Sequence, residues 1–226
     1  MESGRSYQLC LQLFCQEEFL RTRCLFERCG KKVKYWMSFN EINSIIRHPF
    51  ISAGIIEEGN DYLAQDEFQA AHHQFVAGDL TTKLCHEMIP GAQMGCMISY
   101  QMPIPYSCNP DDVLKTLELQ RETLFFSDVQ VRGYYSAYTA RWFKELGVEL
   151  RTEAGDEEIL RSYPADYVSF SYYMSTAASA HPENYDRVSG NLLIKGVKNL
   201  YLETSEWGWQ IDAKELRIAL NQLYDR

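Results

Sequence analysis

The chain has 226 residues, 46% of them hydrophobic and 23% charged, with a net charge of −9 and a pI near 5.1. These are globular proportions, enough for one sizeable core or two small ones, and they exclude wholesale disorder. The acidic balance and the lack of a basic stripe argue against a nucleic-acid binder, and no apolar run approaches the roughly 20 residues that cross a bilayer.

The N-terminus, Met1-Glu2-Ser3-Gly4-Arg5, lacks the layout of a signal peptide, so a cytoplasmic protein with reduced thiols is expected. Four of the seven cysteines, Cys10, Cys15, Cys24 and Cys29, crowd the beginning. Their C-x4-C-x8-C-x4-C spacing lacks the tight knuckle of structural zinc, and no metal or cofactor is expected. Residues 1–18 show no period or cap. A helix is expected from Phe19 to Arg28, with Phe19, Cys24, Leu25 and Phe26 available to a core and Gly30 ending it.

A strand should follow from Val33 through Tyr35, Trp36 and Phe39, rich in β-branched and aromatic residues. It ends in Asn40-Glu41-Ile42-Asn43. An apolar strand delivering amides and a carboxyl at its C-terminal end is how parallel α/β proteins present chemistry. The same pattern also describes a surface strand end with solvated polar residues. A loop with His48-Pro49-Phe50 and Gly54 comes next, then Glu57, Glu58 and Asp61.

A long helix is expected over Asp61 to Met88, from the spacing of Leu63, Phe68, Ala71, Phe75, Val76, Leu80 and Leu84, with Gly78 a weak point. Gln93 to Ser99 reads as a second buried strand, in which Gly95 allows close approach of a neighbouring backbone. Met102-Pro103-Ile104-Pro105-Tyr106 cannot be a central strand. Asn109-Pro110-Asp111-Asp112 opens a helix expected to reach Phe126. Further helices are expected at Ala137–Leu146 and Asp156–Arg161.

The third strand is Asp166 to Tyr173. An irregular segment over Ser175–Gln210 holds His181-Pro182, Gly190, Gly196 and Glu206-Trp207-Gly208-Trp209, and long loops of this kind are often functional. A helix over Asp212–Tyr224 closes the series. Helices alternating with strands point to α/β architecture with a parallel sheet, and three strands in this length suggest part of a larger structure.

Glu41 is the first chemical candidate, since a carboxyl at such a strand end can serve as a general acid. Asn40 could hold a substrate hydroxyl. Tyr173, at the matching end of the third strand, is either a partner to a carboxylate or a core tyrosine. Trp207 and Trp209 are either an apolar platform for a sugar ring or plugs for a barrel end. His72 and His73 are adjacent and share no helix face, so they read as packing or surface residues. His86-Glu87 lacks the second histidine of a zincin.

Lys34-Tyr35-Trp36-Met37-Ser38-Phe39-Asn40-Glu41-Ile42-Asn43 resembles the acid/base motif of glycoside hydrolase family 1, and its Ile-Asn ending is similar to the bacterial 6-phospho-β-glucosidases. Ala70-Ala71-His72-His73-Gln74, the Asp166–Tyr173 strand and Ser205-Glu206-Trp207-Gly208-Trp209-Gln210-Ile211-Asp212 resemble the same group, in the same order. The resemblance covers Phe19 to Arg226 and leaves 1–18 as an unmatched segment. It implies a partial (β/α)8 barrel corresponding to strands four to six.

The implied chemistry is retaining hydrolysis of phosphorylated β-glucosides by two carboxyls about 5–5.5 Å apart. By motif, Glu41 resembles the acid/base, Asn40 the residue holding the sugar 2-hydroxyl, Tyr173 the tyrosine that orients the nucleophile, and Trp209 the tryptophan beside the leaving group. Ser171 stands where much of the family has Asn. The family's E-N-G nucleophile motif does not occur in the chain. The resemblance therefore implies a fragment that carries the acid/base half. Either it acts with a complementing fragment or oligomer, or it is a non-catalytic remnant. Neither nucleic acid nor membrane is an expected partner.

Overall fold

The computed structural model describes residues 20–56, 64–188 and 196–226. Cys10, Cys15, Phe19, Glu57, Glu58, Asp61, Leu63 and Gly190 lie outside them. The described chain divides into two units, one formed by residues up to Ile98 together with Phe126–Ser169, the other by Ser99–Phe125 and Phe170–Arg226.

In the first unit, helix α1 (20–29) precedes strand β1 (Tyr35–Met37). Phe26 is the buried residue of α1. Its ring meets Trp36 edge-on at 4.9 Å, and both pack against Cys85, Ala92 and Met94. Cys24 and Leu25, expected to face a core, are exposed, because one turn of α1 can aim only part of its surface inward.

The expected loop after β1 holds a 3-10 helix, Ile42–Ile46, and a short helix α2 (Pro49–Ala53). Helix α3 (Ala64–Met88) runs unbroken through Gly78 and buries Phe68, Ala71 and Phe75. Phe68 and Phe75 join Phe126, Tyr135, Trp142 and Phe143 in an aromatic core. Burying such rings dominates the energetics of a small unit.

Strand β2 (Gln93–Ser99) has the expected limits and pairs in parallel with β1, Tyr35 opposite Gln93 and Met37 opposite Gly95. The close neighbour of Gly95 is the ring of Tyr167 rather than a backbone. A Cβ on Gly95 would run into the Tyr167 ring at Cε2. The ring crosses that gap so that Tyr167 Oη donates to Trp36 O at 2.7 Å. Tyr167 opens strand β4 (Tyr167–Ser171), and the sheet order is β1-β2-β4, with β1 and β4 at its edges among the described residues.

His72 is more than packing. Its Nδ1 lies 2.8 Å from Tyr135 Oη and its Nε2 3.0 Å from Asp156 Oδ2, so it joins α3 to helix α6 (Asp156–Ser162). Gln65 and Gln69 do similar work beside it. Each side-chain amide exchanges a pair of hydrogen bonds with the extended segment, at Glu149 and Arg151 respectively. Helix α5 (Ala137–Leu146) ends at Gly147 as expected.

Helix α4 (Pro110–Arg132) continues six residues past the expected end at Phe126 and so belongs to both units. In the second unit, β3 (Pro103–Pro105) pairs in parallel with β5 (Thr176–Ala178) as a separate two-stranded sheet. β5 was expected to be irregular, since three short residues carry no period that reveals a distant partner. Helix α7 (Ala213–Asp225) is capped by Asp212, which accepts from the backbone N–H groups of Lys214 and Glu215.

Candidate active site

The motif residues of the first unit hang from the C-terminal end of β1. Ser38 N still donates to Gly95 O at 3.4 Å, after which the chain leaves the ladder. Asn40 is exposed and Glu41 half-buried. Glu41 has φ 45° and ψ 54°, and among the described residues it is the one non-glycine with positive φ. That left-handed conformation costs an L-residue roughly 1–2 kcal/mol. The surrounding structure imposes it: Ile42, Asn43 and Ile45, which follow at once, are buried, and Ser44 N donates to Glu41 O at 2.7 Å to start the 3-10 turn. Strain held this way clusters at functional sites.

Ser44 Oγ stands 3.5 Å from Glu41 Oε2, at the outer limit of a hydrogen bond. Sequence reading missed this neighbour. Its only signal is a hydroxyl three residues after the carboxyl, within reach once a tight turn forms.

In the second unit, Tyr173 lies two residues past the end of β4. It is 48% exposed in this chain. Its ring meets Trp209 edge-on, with centroids 5.4 Å apart. The loop that positions Trp209 is tightly built. Ser205 N donates to Trp209 O at 2.8 Å, Gly208 N to Ser205 O at 2.9 Å, and Ile211 N to Glu203 O at 2.9 Å. Gly208 takes φ 79°, a turn conformation in which a side chain would be strained. Buried Gln210 anchors the base of the loop, its amide bonding both Asn199 N and Asn199 O.

Trp207, at the tip of this loop, is 82% exposed. The structure thus joins Tyr173 with Trp209, keeps Asn40 beside Glu41, and leaves Trp207 projecting outward. Ser171, the departure from the family pattern, uses its carbonyl to accept from Tyr100 N at 2.9 Å. Among the described residues no group of three or more His, Cys, Asp or Glu is placed to hold a metal ion. No described helix is long and apolar enough to cross a membrane.

Comparison with known proteins finds relatives of this chain. Aryl-phospho-beta-D-glucosidase BglH of Bacillus subtilis is 50% identical over 210 residues, which are 93% of this chain and 44% of that protein. The 6-phospho-beta-glucosidase of Clostridium longisporum is 48% identical over 93% of this chain and 44% of its own length. The chain therefore spans less than half the length of these curated relatives.

Among solved structures, the psychrophilic beta-glucosidase BglU of Micrococcus antarcticus superposes with a TM-score of 0.73, at 22% identity, over 92% of this chain and 47% of that one. The family 1 beta-glucosidase of Thermotoga maritima gives 0.70 at 19% identity, over 91% and 44%. The fold is accordingly part of a (β/α)8 barrel. The profile of Glycosyl hydrolase family 1 matches residues 15–226, and the chain belongs to that family.

Proposed function

We propose that this chain supplies the acid/base half of a retaining 6-phospho-β-glucosidase, a hydrolase of β-glycosidic bonds in phosphorylated β-glucosides. The observation that carries the reading is Glu41, a carboxylate held in a strained backbone at the C-terminal end of a parallel strand. The printed activities of relatives at 48–50% identity supply the substrate class.

In this reading Glu41 protonates the departing glycosidic oxygen, then takes a proton from the water that releases the sugar. Asn40 holds the 2-hydroxyl. Trp209, with Trp207 further out, offers an apolar surface to the sugar and its leaving group. Tyr173 positions the nucleophilic carboxylate through its hydroxyl. A cytoplasmic setting fits the free thiols of Cys24, Cys29, Cys85, Cys96 and Cys108.

Double displacement also needs a second carboxylate about 5–5.5 Å from the first, and no residue here is assigned that part. A second reading follows from the 44% coverage of the relatives: the chain is a non-catalytic remnant, inactive alone and not rescued by a complementing polypeptide. Hydrolysis of a 6-phospho-β-glucoside with a poor leaving group, by the chain alone and mixed with the remaining portion of the Bacillus relative, separates the two. We expect turnover only in the mixture, and its loss with Glu41→Gln. Activity that survives Glu41→Gln refutes the acid/base assignment.

A further inference from the structure

Asp79 sits in the middle of α3 and is 1% exposed. Its Oδ2 has no hydrogen-bond partner among the described residues. The helix is tightly packed at this point: a Cβ on the preceding Gly78 would lie 3.4 Å from Ser38 Oγ, 3.4 Å from Gln130 Nε2 and 3.7 Å from Phe39 Cε2. Among the described residues no cation pairs with the carboxyl. The titratable groups that feel its charge are the Cys96 thiol on β2 and the Tyr135 phenol beyond α4. Tyr135 is in turn engaged by His72, and His72 by Asp156. Gln130 Oε1 on α4 is one of several other buried polar atoms in this unit without a partner among the described residues, an acceptor lacking a donor.

We infer that Asp79 is carried in the folded chain as a neutral, proton-bearing acid, and that its ionisation is a built-in pH switch that loosens the α3–β2–α4 core of the first unit. An ionised carboxylate with neither counter-charge nor hydrogen bonds is costly in such a place, and the group keeps its proton instead. Burial alone pushes it up to about 9. In the unfolded chain the same group ionises near the ordinary aspartate value of about 3.9. Between those limits the folded state binds one proton more than the unfolded state, so stability falls as pH rises. Ser38 and Phe39, which abut Gly78, lead directly into Asn40 and Glu41, so the switch acts on the segment that carries the candidate acid. The inference itself does not depend on the function proposed above.

The test is urea unfolding of the full chain from pH 5 to pH 8, followed in parallel by hydrogen exchange over residues 64–88, for the parent, Asp79→Asn and Asp79→Ala. Relative to either variant, the parent's unfolding constant should rise about tenfold per pH unit, and exchange in α3 should quicken in step. A carbon-13 titration should show the Asp79 carboxyl still protonated at pH 7. Parallel pH profiles for parent and variants overturn the proposal, as does a carboxyl that titrates near 4. Failure of both variants to fold where the parent folds also overturns it, because a lone unpaired acid is not something the core needs.

Discussion

Two buried aspartates, one in each unit, meet opposite fates. Asp79 is 1% exposed and without a partner among the described residues; Asp112, near the start of α4, is 5% exposed and engaged by three donors. Ser107 Oγ donates to Asp112 Oδ2 at 2.6 Å, while Ser179 Oγ at 3.0 Å and Ala180 N at 2.8 Å donate to Oδ1. Those donors, Ser107 foremost, hold the Asp112 carboxyl below the usual carboxylate range. Burial costs both groups their hydration. Donors around the charged form decide whether the carboxyl becomes a pin between segments or a proton-bearing liability.

The comparison breaks most severely with Asp112→Ala. Two hydroxyls and one backbone N–H would lose their acceptor, and the segment after β5 would lose its tie to α4. The largest loss of stability of any substitution discussed here is expected, seen as a lower urea midpoint. The pH dependence has a definite sign. A depressed folded value means that Asp112 contributes stability above the unfolded value of about 3.9, which is lost as pH falls through the folded value. Asp112→Asn should remove that acid-side slope, and an unchanged slope would count against the pinning role.

Glu215 sharpens the comparison, because it behaves like Asp79 although it lies in the unit of Asp112. It is 2% exposed and its Oε1 has no partner among the described residues. Burial first, and the Asp212 carboxylate second, push it up to about 7. Its place in the first turn of α7 favours a negative charge, yet burial outweighs the helix dipole. Stability should fall by roughly 1.4 kcal/mol per pH unit between about 4.3 and that value. Glu215→Gln should abolish the decline and leave the variant more stable at pH 8. Equal stability of variant and parent at pH 5 and pH 8 would remove Glu215 from this class.

Glu41 is a third kind of carboxylate, whose cost lies in its backbone. Glu41→Gly should raise unfolding stability by about 1 kcal/mol, since glycine takes positive φ without a steric penalty. The same change should remove activity in the complemented mixture. A loss of stability on that substitution would show that the side chain contributes more than the conformation costs, contrary to a site kept for chemistry.

Local signals made some elements legible and not others. Gln93–Ser99 is an apolar run bounded by Pro90-Gly91, and Ala137–Leu146 is amphipathic and stops at Gly147; both have the limits read from sequence. The end of α4 was not legible. Ser127-Asp128-Val129-Gln130 lowers helix propensity, yet those side chains are buried in the unit that holds the helix there. The pairing of β3 with β5 was hidden because it joins segments roughly seventy residues apart with little pattern in either. In the candidate site, Asn40 and Glu41 are proposed from their neighbours in the chain. The left-handed backbone of Glu41 was not legible there, because glutamate gives no hint of positive φ. Ser44 became a neighbour only through the turn that this conformation begins.

By itself, the sequence determined the family, the alternation of helices and strands, and which residue types stand at the strand ends. Each of these is written in spacing and order along the chain. Tertiary structure alone decided that Tyr167 crosses Gly95, that His72 bridges α3 to α6, and which acids keep their protons. Those outcomes depend on desolvation and on donors brought from distant segments. A solitary aspartate in a helix looks the same in the sequence whether three donors await it or none.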